Sequence, residues 1–199
     1  MNTIDRIDGL VDRLRPGVTF NMIIRAAKFA EAAHWGVTRK GGKVPYITHP
    51  GRIATRVTLH DIACETTICA AWLHDVLEDV ADVSYQTLVD YFGSQVASLV
   101  QELTNPSKGS KLSREERKQM DRDHLKEVSK EAKIIKMFDR IDNIKEMAFN
   151  KEFSKKFLQT YASETKLLFE CLRGVDAELE KEFEHELENF ERRIERSEN

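Results

Sequence analysis

Between Ile68 and Asp79 the chain reads Ile-Cys-Ala-Ala-Trp-Leu-His-Asp-Val-Leu-Glu-Asp, an apolar run cut by four ionisable side chains. A helix this hydrophobic is buried on most sides, and buried charge must be compensated. At helical spacing His74 falls beside Glu78 and Asp75 beside Asp79, while Trp72, Leu73, Val76 and Leu77 fill other faces. Three carboxylates within two turns repel one another unless a cation or a solvent channel intervenes. The segment therefore predicts the central buried helix of the fold, with a metal at its polar patch. A solvated helix end is the alternative.

The rest of the chain has the same periodicity. Ile4, Ile7, Leu10, Val11 and Leu14 predict a helix stopped by Pro16-Gly17, after which Thr19 caps a second helix over about Phe20–His34. Arg39 to Tyr46 reads as a loop, and Pro50 suits the first turn of a third helix. Ser84 and Ser94 are placed to cap helices on either side of Gly93, and Ser113 with Glu116 forms a capping box. Residues 105–110 read as a polar, mobile loop. Further helices are expected at about Ala132–Ala148, Phe153–Leu172 and Asp176–Arg196, with Gly174 ending the second of these. No segment alternates apolar and polar residues for long enough to make a sheet, and no repeat recurs, so the fold class is all-α.

Composition narrows the function. A length of 199 residues favours one compact domain. The net charge of −3 gives no basic face for nucleic acid, so no nucleic-acid partner is expected. Ten acids against four bases from Asp176 to Asn199 leave the preceding residues with +3, enough to receive a small anion. No apolar run approaches the ~18 residues of a membrane span, and the N-terminal sequence carries no apolar signal core, so no membrane partner and a cytoplasmic location are expected. Cys64, Cys69 and Cys171 lack metal-site or disulfide spacing and read as buried thiols.

Two more polar residues interrupt apolar surroundings. Asp139 lies in Ile134-Ile135-Lys136-Met137-Phe138-Asp139-Arg140-Ile141-Asp142-Asn143, where Asn143 shares its face, and His49 stands just before Pro50. His49, His74, Asp75 and Asp139 together offer two imidazoles and two carboxylates, a set suited to Mn²⁺ or Fe²⁺ and compatible with Zn²⁺. Read singly, His49 is a structural histidine and Arg39-Lys40 a solvated loop pair.

The order His, then His-Asp, then a distant Asp resembles the HD-domain metal-dependent phosphohydrolases. Ala33-His34-Trp35-Gly36, Arg39-Lys40, Pro45-Tyr46-Ile47-Thr48-His49-Pro50, Leu73-His74-Asp75-Val76-Leu77-Glu78-Asp79 and Lys136-Met137-Phe138-Asp139-Arg140-Ile141-Asp142-Asn143 narrow the resemblance to the hydrolase domain of the RelA/SpoT group, and to its small stand-alone MESH-type members. It covers about residues 20–172. The resemblance implies an HD-domain helical bundle and a metal, usually Mn²⁺, at His49, His74, Asp75 and Asp139. It further implies that Glu78 and Asp79 position or activate water, and that Arg39, Lys40 and Asn143 hold the nucleotide. Residues 1–175 would form the phosphohydrolase domain, and 176–199 an acidic amphipathic helix packed on it or at a homodimer contact. The chain departs from the family pattern with an extra residue between Arg39 and His49, with Asp142 in place of an aromatic or imidazole, and with Glu146 where a small hydroxyl residue is usual. Both acids oppose an anionic substrate. The expected activity is hydrolysis of a phosphorylated nucleotide, namely (p)ppGpp at its 3′-pyrophosphate. The alternatives are an NADPH 2′-phosphatase, a nucleotide monophosphatase, or a nucleotide-sensing HD module without turnover.

Overall fold

The computed structural model describes residues 22–40 and 42–196. The helix predicted over residues 4–14, its Pro16-Gly17 stop, the Thr19 cap and the Phe20 start of the next helix lie outside the described residues. The fold is all-α: the described residues hold helices and no strand, with a single antiparallel bridge between Thr38 and Pro45. They fall into two compact units, one ending at Thr104 and the other starting at Asn105.

The first unit contains α1 (Met22–Ala33), α2 (Thr48–Thr58), α3 (Glu65–Leu73), the four-residue α4 (Val76–Asp79) and α5 (Tyr85–Leu103). Helix α3 is its centre and packs on α1, α2 and α5. Its buried residues Thr67, Ile68, Cys69, Ala70, Ala71 and Leu73 are mostly small, which lets neighbouring helices approach closely. Cys64 and Thr67 cap its start, the Cys64 N–H donating to Thr67 Oγ1 at 3.0 Å. A Cβ on Gly51 of α2 would come within 3.0 Å of the Trp72 ring, so this glycine sets how closely α2 lies against α3. That approach carries His49, near the start of α2, toward His74.

The helix expected to run through Asp79 stops at Leu73. His74 (φ −57°, ψ −29°) and Asp75 (φ −100°, ψ −7°) form a turn before α4 begins. Within α5, Gly93 adopts φ 82° and kinks the helix ahead of Ser94, while Ser84 caps it by accepting the Thr87 N–H at 3.1 Å.

The second unit contains α6 (Arg114–Glu127), α7 (Lys130–Met147), α8 (Lys155–Leu172) and α9 (Ala177–Arg196). The Ser113–Glu116 capping box opens α6 as expected. Helix α9 buries Leu179, Phe183, Leu187, Phe190 and Ile194 and packs on α7 and α8. Phe169 and Phe183 stack with centroids 4.3 Å apart, and each such buried aromatic contributes about 1.5–3 kcal/mol of hydrophobic stabilisation. Gly174, at φ 85°, supplies the turn from α8 into α9. The loop over 105–110 is more ordered than its polarity suggested, because Ser107 is buried and its N–H donates to Asp121 Oδ1 at 3.3 Å. Of the three cysteines only Cys69 is fully buried, and burial pushes its thiol pKa up to about 12. Cys64 is exposed at the start of α3 and Cys171 is half-buried, so the expectation of three buried thiols is corrected.

Candidate metal centre

The break between α3 and α4 turns the side chains of His74 and Asp75 toward the start of α2. His74 is buried, with Nδ1 2.9 Å from the Ala71 carbonyl oxygen, an acceptor that requires the proton on Nδ1. Nε2 is then the lone-pair nitrogen, the tautomer that a backbone carbonyl selects in metal-binding histidines. That Nε2 lies 2.9 Å from Asp75 Oδ2, and His49 Nε2 lies 3.8 Å from the same oxygen. The two imidazole rings meet edge to face at 5.2 Å. Two imidazoles and a carboxylate gathered this closely in a buried site are donor types that bind divalent ions, so the donor set fits one.

Residues around this cluster fix it in place. Tyr46 donates its hydroxyl hydrogen to Asp75 Oδ2. Its ring stacks on His34 at 4.5 Å, meets the His49 ring edge to face at 5.9 Å, and carries the Arg39 guanidinium 5.3 Å from its centroid. His34 is itself buried, and desolvation lowers its pKa against the opposing pull of the Asp75 and Asp79 charges. Sequence reasoning gave His34 and Tyr46 no role. The available signal was their pairing, an aromatic three residues before a candidate ligand and a second imidazole just after a core helix.

Glu78 and Asp79 lie on α4, with their N–H groups donating to the Asp75 carbonyl at 3.0 and 2.8 Å. Glu78 is half-buried and Asp79 exposed. The break at His74 means that α4 presents them from a new short helix and not as a continuation of the α3 face. Arg39 and Lys40 occupy a tight turn closed by Arg39 N–H to the Val44 carbonyl at 2.9 Å and by Tyr46 N–H to the Val37 carbonyl at 2.9 Å. Arg39 is half-buried and Lys40 exposed.

In the second unit, Asp139 and Asn143 share a face of α7 as expected, and the Asn143 amide donates to Asp139 Oδ1 at 2.6 Å. Lys136, one turn earlier, brings its ammonium within 3.2 Å of Asp139 Oδ2, and both side chains are buried. Sequence reasoning missed this pair. The half-buried Lys118 of α6 has its pKa lowered by burial first and then by the nearby Arg140 charge, and its ammonium lies 3.8 Å from Asp121. Asp142 and Glu146 are half-exposed on α7.

Known proteins resemble this chain over most of its length. A guanosine-3′,5′-bis(diphosphate) 3′-pyrophosphohydrolase, MESH1, of Xenopus tropicalis is 30% identical over 169 residues, covering 82% of this chain and 92% of its own length. A guanosine-3′,5′-bis(diphosphate) 3′-pyrophosphohydrolase of Aquifex aeolicus is 36% identical over 137 residues, which is 67% of this chain and 19% of that longer protein. Among solved structures, a metazoan ortholog of SpoT described as hydrolysing ppGpp matches with a TM-score of 0.75 at 27% identity, over 88% of this chain and 96% of that one. A family model for the HD domain matches residues 26–176, a span that begins in the first compact unit, ends in the second and includes His34, His49, His74, Asp75, Glu78, Asp79 and Asp139. With this model matching most of its length, the chain belongs to the HD-domain family.

Proposed function

We propose that this protein is a metal-dependent phosphohydrolase that removes the 3′-pyrophosphate of (p)ppGpp. The observation carrying this reading is the convergence of His49 Nε2 and His74 Nε2 on Asp75 Oδ2, in a chain matching a named 3′-pyrophosphohydrolase over 92% of that protein's length. His49, His74 and Asp75 would hold the ion, with Asp139 as the fourth ligand. When bound, a divalent ion lowers the pKa of an attacking water and polarises the phosphoryl oxygen.

The chain's own groups carry the remaining work. Glu78 or Asp79 accepts the proton of a water whose oxygen bonds to the phosphorus on the ribose 3′-oxygen. The bond from that phosphorus to O3′ then breaks, O3′ takes up a proton to become the ribose 3′-hydroxyl, and pyrophosphate leaves together with GDP from ppGpp or GTP from pppGpp. Arg39 and Lys40 present their charges to phosphate oxygens, and Asn143 holds the nucleotide. This reading takes Mn²⁺ as the ion, with Fe²⁺ the other member of the same preference class, and places the enzyme in the cytoplasm. No described helix is long and apolar enough to cross a membrane. Residues 1–175 are assigned to the hydrolase domain and 176–199 to a helix packed on it. A homodimer is the assembly to test by sedimentation.

Purified protein loaded with Mn²⁺ is expected to release pyrophosphate from ppGpp faster than it releases phosphate from NADPH or a nucleoside monophosphate. Faster phosphate release from either alternative would replace the substrate, and nucleotide binding without turnover would favour the sensing module.

A further inference from the structure

We infer that Tyr46 is a positioning residue that ties the Arg39 loop to the metal-binding carboxylate of Asp75, so that ion affinity and nucleotide affinity both depend on one side chain. The inference rests on the metal-dependent reading above and goes beyond its assigned residues. Tyr46 stands at the only bridge-paired stretch among the described residues, next to Pro45 of the Thr38–Pro45 bridge and just ahead of α2. Its N–H donates to the Val37 carbonyl, and its own carbonyl accepts the His49 N–H at 3.0 Å, so its backbone is fixed on both sides. From that position it makes two functionally different contacts. The hydroxyl donates to Asp75 Oδ2, the oxygen that both His49 Nε2 and His74 Nε2 face. The ring, stacked on buried His34, supports the Arg39 guanidinium.

These contacts act on different properties. A hydrogen bond to a ligating carboxylate fixes its rotamer before the ion arrives, and losing such a bond weakens metal binding. A cation over an aromatic face is held where the ring places it, so losing the ring frees Arg39 and weakens binding of the phosphate it would meet. The hydroxyl should therefore govern the ion and the ring should govern the nucleotide.

Two variants separate the contacts. Tyr46→Phe removes the hydroxyl and keeps the ring, while Tyr46→Leu removes both. Mn²⁺ binding to the metal-free full chain is measured by paramagnetic resonance of the free ion, and kcat and KM for ppGpp are measured at saturating Mn²⁺. Tyr46→Phe is expected to weaken Mn²⁺ binding by roughly 10–100-fold with KM unchanged. Tyr46→Leu is expected to weaken Mn²⁺ binding to the same extent and to raise KM by roughly threefold or more. If either variant is poorly folded without metal, the rise in melting temperature with added Mn²⁺ gives its affinity instead, because the ion binds the folded chain. Native Mn²⁺ affinity in Tyr46→Phe overturns the inference, as does a KM increase in Tyr46→Phe equal to that in Tyr46→Leu. A wild-type protein that binds Mn²⁺ and ignores ppGpp refutes the substrate reading, while the Mn²⁺ comparison still decides the role of the hydroxyl. A wild-type protein that binds no divalent ion refutes both.

Discussion

Asp75 in the first unit and Asp139 in the second pose the same problem, a carboxylate set into an apolar helical stretch. Around Asp139 the second unit places an ammonium at 3.2 Å and an amide at 2.6 Å, both from α7 itself. Around Asp75 the first unit places a phenol and two imidazole nitrogens, drawn from α2, the turn after α3 and the loop between α1 and α2. Lysine cancels a carboxylate's charge in place, whereas imidazoles, when neutral, leave charge for an incoming cation to satisfy. A buried carboxylate is thus compensated in two ways, by a lysine one turn away or by room left for a cation, and the lysine beside Asp139 holds its charge without removing it from the ligand set proposed above.

The comparison breaks most sharply at the first unit's donors. His74→Ala and Asp75→Ala are each expected to lower Mn²⁺ affinity by more than ~100-fold and to abolish hydrolysis, since each leaves an incomplete set of buried ligands. Metal analysis of the purified variants checks this, and circular dichroism should show the helical fold retained. Full metal occupancy in both would remove His74 and Asp75 from the ligand set.

One step out from the donors, Glu78→Gln keeps the shape of the side chain and removes its basicity. Turnover is expected to fall by ~10²–10⁴ with Mn²⁺ content unchanged. A native rate in this variant would leave Asp79, exposed at the end of α4, as the candidate base.

The second unit's answer is tested by stability. Lys136→Met strands Asp139 without its ammonium, and removal of one partner of a buried ion pair costs about 3–5 kcal/mol. Urea unfolding of the metal-free protein should show that loss in its midpoint. If Asp139 is also a ligand, saturating Mn²⁺ should recover part of the loss, because the ion replaces the missing positive charge. A loss that Mn²⁺ leaves untouched would confine Asp139 to a structural role.

The contrast also explains what was legible in the sequence. Helices α7, α8 and α9 were readable to within a few residues because their apolar stripes recur every three or four positions and Gly174 marks a stop. The break after Leu73 was not, because His74 and Asp75 keep right-handed helical backbone angles and no glycine or proline announces the change. His49, His74, Asp75 and Asp139 stood out as polar residues among apolar ones. Lys136 did not, since a lysine in an apolar helix reads as a long side chain reaching for solvent. Tyr46 and Ser107 depend on partners 29 and 14 residues away, beyond any local pattern.

The smallest expected effect lies at the edge of the first unit, where charge is available to a substrate and not to the fold. Arg39 rests on the Tyr46 ring and Lys40 is exposed beside it, so both can meet a phosphate at modest desolvation cost. A substrate with phosphates at two places would use this loop as well as the metal centre, and a monophosphate would use only one of them. Against this, Asp142 and Glu146 on α7 repel a highly charged nucleotide to the extent that they face it. Arg39→Ala is expected to raise KM for ppGpp by roughly tenfold, the value of one charge-assisted hydrogen bond, with kcat little changed because the contact is made equally in ground and transition states. KM for GMP or AMP should stay the same, so the preference for ppGpp narrows. If KM rises equally for monophosphates, Arg39 serves the metal centre through Tyr46 and not a second phosphate. Neutralising Asp142 and Glu146 as Asp142→Asn and Glu146→Gln then completes the comparison, since an acid that faces the substrate lowers KM for ppGpp when neutralised and one turned to solvent leaves it unchanged.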